Sequence, residues 1–166
     1  MDKRHTILVV DDESDVVKSV QDLLRLEYRV LGTTSARDAV KIIAEEEVHV
    51  VMTDQRMPGM TGVEFLKQIR GQHPDAIRLL FTGYTDMKAV IDSINEGNVY
   101  RYITKPWDPD ELLMTIREAC DLVLTAATHA RASHAEAERA AVYVLKMGQP
   151  MRIMDMAERM IRLAGF

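Results

Sequence analysis

The stretch Val50–Met60, VVMTDQRMPGM, constrains this chain more than any other. It opens as an apolar run, reaches one carboxylate at Asp54, and breaks at Gln55-Arg56-Met57-Pro58-Gly59. Valine and methionine without alternating polar residues, stopped by Pro-Gly, read as a strand buried on both faces. A strand of that kind belongs to a parallel sheet with helices on either side. Asp54 then stands at the carboxyl end of the strand, where open α/β sheets build their sites. An aspartate before a turn is by itself only a cap or turn former. Its meaning depends on what else reaches the same edge.

Along the chain, β-rich runs and helical patterns alternate. Thr6 to Val10 is a short strand ending at Asp11-Asp12, and Asp15 to Leu26 carries Val16, Val20, Leu23 and Leu24 at helical spacing. Tyr28 to Thr33 is a second strand, and Ser35 with Asp38 opens a helix faced by Ala39, Val40 and Ile43. Val48 to Asp54 is the third strand, and Thr61 with Glu64 makes a capping box before Val63, Leu66 and Ile69. Ile77 to Thr82 is the fourth strand. Met87, Val90, Ile91 and Ile94 mark a helix that Gly97 closes, and Val99 to Thr104 is the fifth strand, ended by Lys105-Pro106. Asp108-Pro109-Asp110-Glu111 is a helix start, with a cap, a proline at the first helical position and early negative charge. This alternation predicts an α/β fold with right-handed crossovers, a doubly wound five-stranded parallel sheet of flavodoxin-like order 2-1-3-4-5.

In that order the first and third strands flank the switch point, so Asp11, Asp12 and Asp54 converge on one edge with Thr82 and Lys105. Carboxylates this close raise one another's pKa unless a cation intervenes. Oxygen-only donors suit Mg²⁺. A carboxylate beside such an ion can act as a nucleophile toward a phosphoryl group. Lys105 would balance charge on the phosphoryl oxygens, and Thr82 would hydrogen-bond one of them. Each residue also has a plainer reading: Asp11-Asp12 as a helix cap, Thr82 as a turn hydroxyl, Lys105 as a solvated charge, Tyr102 as a half-buried strand tyrosine. No GxGxxG or GxxxxGK[ST] loop occurs, so the chain does not read as a kinase or nucleotide hydrolase.

The four pieces Asp11-Asp12-Glu13, Asp54 with Met57-Pro58-Gly59, Thr82-Gly83, and Tyr102 with Lys105-Pro106, in that order at strand ends, resemble a response-regulator receiver domain of two-component signalling, chemotaxis-regulator-like, over roughly Lys3 to Leu124. The resemblance implies that Asp54 is the phosphoacceptor. It implies that Asp11, Asp12 and Asp54 hold Mg²⁺ with the backbone carbonyl of Arg56. Thr82 and Lys105 would sense the phosphoryl group, Tyr102 would be the aromatic switch, and the Lys105-Pro106 bond would be cis. Arg56 and Tyr84, two residues after Asp54 and Thr82, would flank the path of the attacking water. The phosphoryl group would come from a histidine kinase, a phosphotransfer protein or a small phosphodonor.

Composition fits a globular protein: 47% hydrophobic and 28% charged over 166 residues leave room for one such domain and an extension. A net charge of −5 argues against general nucleic-acid binding. No apolar run approaches the ~20 residues of a membrane span, and the start MDKRHTILVV lacks a cleavage site. Cys120, the single cysteine, suits a reducing cytoplasm and falls in an apolar helical pattern.

Past the receiver-like part, residues 1–125, the alanine-rich stretch 126–141 reads as a helical connector, and His129 and His134 do not share a face as a metal pair would. The tail, 142–166, holds Met147, Met151, Met154, Met156 and Met160 and reads as a docking or dimerisation element. It resembles a segment near the C-terminal end of nucleotide-sugar dehydratases and epimerases of polysaccharide biosynthesis. The expected function is a phosphoacceptor response regulator, not an enzyme beyond accepting and losing its own phosphoryl group. The alternative is a regulatory piece of a larger phosphohydrolase or polysaccharide-biosynthesis enzyme. A homodimer paired through the helix after Pro109 is expected, with no direct nucleic-acid binding.

Overall fold

The computed structural model describes residues 5–83, 88, 91, 93–94 and 99–133, with side chains as far as residue 123. Five parallel strands carry the architecture: β1 (Thr6–Val10), β2 (Arg29–Thr33), β3 (Val50–Asp54), β4 (Ile77–Thr82) and β5 (Arg101–Thr104). Their order is β2-β1-β3-β4-β5. The described helices are α1 (Ser14–Leu24), α2 (Ala36–Glu45), α3 (Gly62–Gln72) and α4 (Pro109–Ser133). The expected doubly wound parallel sheet is therefore the fold. Of the helix expected around Met87–Ile94, Met87 and Val90 lie outside the described residues, while Lys88, Ile91, Ser93 and Ile94 are helical.

The alternation of side chains along each strand divides the core into two layers. Ile7, Val9, Val50, Met52, Leu79, Phe81 and Ile103 face Val20 and Leu24 of α1 and Leu112, Ile116, Ala119 and Cys120 of α4. Leu8, Val10, Val51 and Leu80 face Ala36, Ala39 and Ile43 of α2 and Phe65, Leu66 and Ile69 of α3. β1 and β3 are buried at every position because both layers cover them. β2 is only half-buried, as an edge strand must be.

The helix starts follow their sequence signals, with one difference. Thr61 and Glu64 form the full reciprocal capping box. Ser35 accepts from the Asp38 N–H, but the Asp38 carboxylate goes to Lys41 and the Ser35 N–H donates to the Thr33 hydroxyl, so that box is half made. Asp108 accepts from the N–H groups of Asp110 and Glu111 and so caps α4. α4 presents Leu112, Ile116 and Cys120 to the sheet and leaves Met114 61% exposed. It stays helical to Ser133, inside the expected connector. The side chain of His129, all of His134, and the tail 142–166 lie outside the described residues. Among those described, no helix is long and apolar enough to cross a membrane.

Cys120 illustrates what the core does to a titratable group. Burial, helped by the charge of Asp121, pushes its thiol up to about 12. A threefold-decade loss of thiolate relative to an ordinary cysteine follows, about 10³ at pH 8. Because the folded-state value is raised, the associated stability is present in full below the unfolded thiol's pKa and fades as pH climbs toward 12. Iodoacetamide should therefore label Cys120 only at the rate of unfolding. Labelling of the native protein as fast as that of a free thiol would contradict the packing.

Candidate functional site

Parallel pairing carries the chemistry to one edge of the sheet. The last paired residues of β1 and β3 are Val10 and Thr53. The next residue on each chain is Asp11 and Asp54, so the two carboxylates emerge side by side. On the other side, Asp54 pairs with Phe81 and Thr82 pairs with Thr104, which delivers Thr82 and Lys105 to the same edge. The Lys105 N–H donates to the Thr82 carbonyl at 2.9 Å, extending the ladder by one residue. The Lys105–Pro106 peptide bond is cis.

Lys105 is the hub. Its Nζ lies 2.7 Å from Asp11 Oδ2 and 2.7 Å from Asp54 Oδ1, with Glu13 Oε1 at 3.9 Å. The Asp11 side chain is fully enclosed and that of Asp54 nearly so, whereas the lysine keeps some exposure to the cleft. Burial pushes the Asp11 carboxyl above the ordinary carboxylate range, against the opposing pull of Lys105 and of the Glu13 N–H. For Lys105 burial is again the largest single influence and acts to lower its pKa. Hydrogen bonds and charge from Asp11 and Asp54 together outweigh it and hold the ammonium above its usual value. The asymmetry is physical: an enclosed anion loses more hydration than a cation whose head reaches open solvent.

Backbone donors fix the remaining oxygens. Arg56 N–H donates to Asp54 Oδ2 at 2.6 Å, and Glu13 N–H donates to Asp11 Oδ1 at 2.9 Å. Asp12, Glu13, Asp54, Gln55, Arg56, Gly83 and Lys105 line an open cleft of about 310 Å³. Asp12 is exposed, on the cleft wall. Among the described residues no three carboxylate, histidine or cysteine side chains are gathered about one point as metal ligands. The ammonium of Lys105 stands between Asp11 and Asp54 instead.

Thr82 is fully buried, and its hydroxyl donates to the Gly83 carbonyl at 3.0 Å. Tyr102, half-buried on β5, packs against the layer that holds Leu80, Leu66 and Val99. Met57 and Met60 pack in that same layer, as ordinary core residues. Tyr84 lies outside the described residues.

Two residues at the site escape a reading of strand ends and charges. Gln55 is 8% exposed and closes the β3–α3 loop on itself, and Gly62 opens α3 where a Cβ would fall on the Asp54 carbonyl. The only signal for either is the capping box at Thr61, which fixes Gly62 and Val63 as first-turn residues with free N–H groups.

Comparison with known proteins bears on the same residues. The family model described as response regulator receiver domain matches residues 7–117. A second, described as polysaccharide biosynthesis protein, matches residues 93–166, half of them outside those described. The hydrogenase transcriptional regulatory protein HoxA of Cupriavidus necator is 45% identical over 120 residues, 72% of this chain and 25% of the relative. HoxA of Bradyrhizobium diazoefficiens is 44% identical over 117 residues, 70% of this chain and 24% of the relative. The chain thus spans about a quarter of the length of these curated relatives. The crystal structure of the signal receiver domain of an HD domain-containing protein from Pseudomonas fluorescens Pf-5 superposes with TM-score 0.72 at 34% identity. That match covers 77% of this chain and 95% of that one.

Proposed function

The chain belongs to the response regulator receiver domain family, and from that premise we propose that it is the phosphoacceptor of a two-component relay, taking a phosphoryl group on Asp54 from a histidine kinase or a phosphotransfer protein. The observation that carries the reading is the Lys105 ammonium, 2.7 Å from both Asp11 and Asp54. A cation there would balance charge for a carboxylate nucleophile and for an incoming phosphoryl group.

Asp54 is held for attack. With Oδ2 fixed by the Arg56 N–H and Oδ1 by Lys105, the carboxylate has a set orientation at the cleft. A carboxylate oxygen forms the new P–O bond as the bond from phosphorus to the donor breaks. The bonding pair leaves with the donor, an imidazole nitrogen of phosphohistidine or the carboxylate oxygen of a small acyl phosphate. Asp54 gives up its own charge in the acyl phosphate, and Lys105 is then left to pair with the phosphoryl oxygens. Thr82 would exchange its bond to the Gly83 carbonyl for one to a phosphoryl oxygen. Tyr102, paired in register with Leu80 on the neighbouring strand, would respond to that movement.

The all-oxygen donors suit a hard divalent cation: Asp11 and Asp54 meet at Lys105, and Asp12 and Glu13 stand along the same cleft. Asp11, Asp12 and Asp54, with the Arg56 carbonyl, are the residues that would hold Mg²⁺. When bound, it supplies positive charge to the phosphoryl oxygens.

The proposal includes a cytoplasmic setting, no catalysis beyond the protein's own phosphorylation and dephosphorylation, and a division into 1–125, 126–141 and 142–166. It also includes a homodimer through α4. Relatives named as transcriptional regulatory proteins make gene control the output to examine first. The match over residues 93–166 favours a second reading, in which the same receiver regulates a larger enzyme. With Mg²⁺ and a small acyl phosphate donor, the full chain should gain one hydroxylamine-labile phosphoryl group. No incorporation from either that donor or a phosphorylated histidine kinase would overturn the proposal.

A further inference from the structure

The loop between β3 and α3 leaves from Gln55 and returns to Gln55. The backbone N–H of Gln55 donates to the Phe81 carbonyl at 2.9 Å, which continues the β3–β4 ladder one residue past Asp54. Its backbone carbonyl accepts from the Gly62 N–H at 3.0 Å. Its side-chain Oε1 accepts from the Val63 N–H at 3.1 Å. The first N–H groups of a helix have no partner within the helix. Here Gln55 takes those of Gly62 and Val63, while the Thr61 hydroxyl takes that of Glu64. One residue therefore staples both ends of a loop that contains Arg56, whose N–H holds the Asp54 carboxylate.

The side chain is the part of this staple that depends on residue type. Any residue but proline at 55 would supply the two backbone bonds. Only a side chain of this length with an oxygen acceptor at its end reaches the Val63 N–H. Gln55 is buried and also lines the cleft. We propose that the Gln55 side chain is a positioning residue for phosphoryl acceptance, holding the loop closed through Val63 so that the Arg56 peptide stays against the Asp54 carboxylate. The inference rests on the receiver reading and names the residue that sets the geometry of its nucleophile. Asp54 is fixed by a peptide group of the loop, so a loop that opens lets the carboxylate rotate. Misplacement of a reacting group on that scale costs rate steeply.

The test pairs two variants of the full chain. Gln55→Met keeps length and volume but offers the Val63 N–H only a weakly accepting thioether in place of the amide oxygen. Gln55→Glu keeps an acceptor, and its charge sits at a helix N-terminus, where a carboxylate is well placed. Acceptance is measured at saturating acyl phosphate with Mg²⁺, and amide exchange is followed at Arg56 and Val63. In Gln55→Met both amides should exchange about tenfold faster, and acceptance should slow by about tenfold. Gln55→Glu should restore both to within a few-fold of the parent. Faster exchange at Val63 with unchanged acceptance would overturn the inference and leave Gln55 as a helix cap only. Equal, unaltered exchange in all three proteins would overturn it as well, because the side-chain bond would then hold nothing. Gln55→Glu as slow as Gln55→Met would do the same. Failure of the parent protein itself to accept a phosphoryl group would instead strike the receiver reading, while the exchange data would still report whether the staple exists.

Discussion

Asp54→Asn should abolish phosphoryl uptake, lowering incorporation from a small acyl phosphate by more than about 10³-fold, the scale on which enzymes lose activity when the nucleophile goes. The substitution is nearly isosteric. Its amide oxygen can still accept from the Arg56 N–H, so the loop should keep its place and the protein its fold. What disappears is the anionic oxygen that attacks phosphorus, and with it one of the two charges facing Lys105. Asp11 remains as the ion-pair partner at 2.7 Å. Circular dichroism should be unchanged while incorporation falls to background. Residual incorporation near the parent level would mean that another group carries the phosphoryl.

Gly62→Ala should destabilise the protein by about 2–4 kcal/mol, against the trend for the same change elsewhere in a helix. Alanine replacing glycine in a helix ordinarily gains roughly 1 kcal/mol. At Gly62 the added Cβ would fall on the Asp54 carbonyl oxygen, and it would lie 2.8 Å from Leu80 Cδ1. The carbonyl belongs to the end of β3 and cannot shift without moving the side-chain carboxylate of the same residue. The two effects have opposite signs, so urea denaturation decides between them. A stability equal to or above that of the parent would show that α3 can move away from β3 without cost. The same variant should lose acceptance in proportion to any displacement of Asp54.

The parts of the fold legible in the sequence are those where a local pattern and the tertiary demand coincide. Val48 to Asp54 reads as a strand buried on both faces; the strand runs from Val50 to Asp54 and is buried at every position, because both helical layers cover it. Strict alternation of strands and helices with right-handed crossovers predicts the parallel doubly wound sheet, and the flavodoxin-like order expected within that class is the one found. Element ends were less legible. The second strand begins at Arg29 and not at Tyr28, whose ring turns into the layer under α1 and α4. The fifth begins at Arg101 and not at Val99, a buried residue of the opposite layer that lies before the ladder starts.

At the site, charge made Asp11, Asp54 and Lys105 visible. Their convergence followed from register, since each lies at the C-terminal end of a strand. The bridging of two carboxylates by one ammonium was not legible, because it depends on how far the Lys105 side chain reaches back across β4 and β3. Nor was Gln55, a neutral residue between two charged ones. Its role comes from a loop that closes on itself, and no short-range pattern records where a loop returns. Gly62 was hidden for a related reason. A glycine at a helix start reads as a turn residue, and only the path of the neighbouring strand shows that the space beside it is taken.

Which atom carries the phosphoryl group is the most direct test of the receiver reading. After incubation with Mg²⁺ and an acyl phosphate donor, reduction with borohydride converts an aspartyl phosphate to homoserine, and mass spectrometry of the digested chain locates it. Homoserine should appear at position 54, in the peptide containing VVMTDQR, and at no other aspartate. Homoserine at Asp11 or Asp12, or phosphate retained on a serine, threonine or histidine, would contradict it.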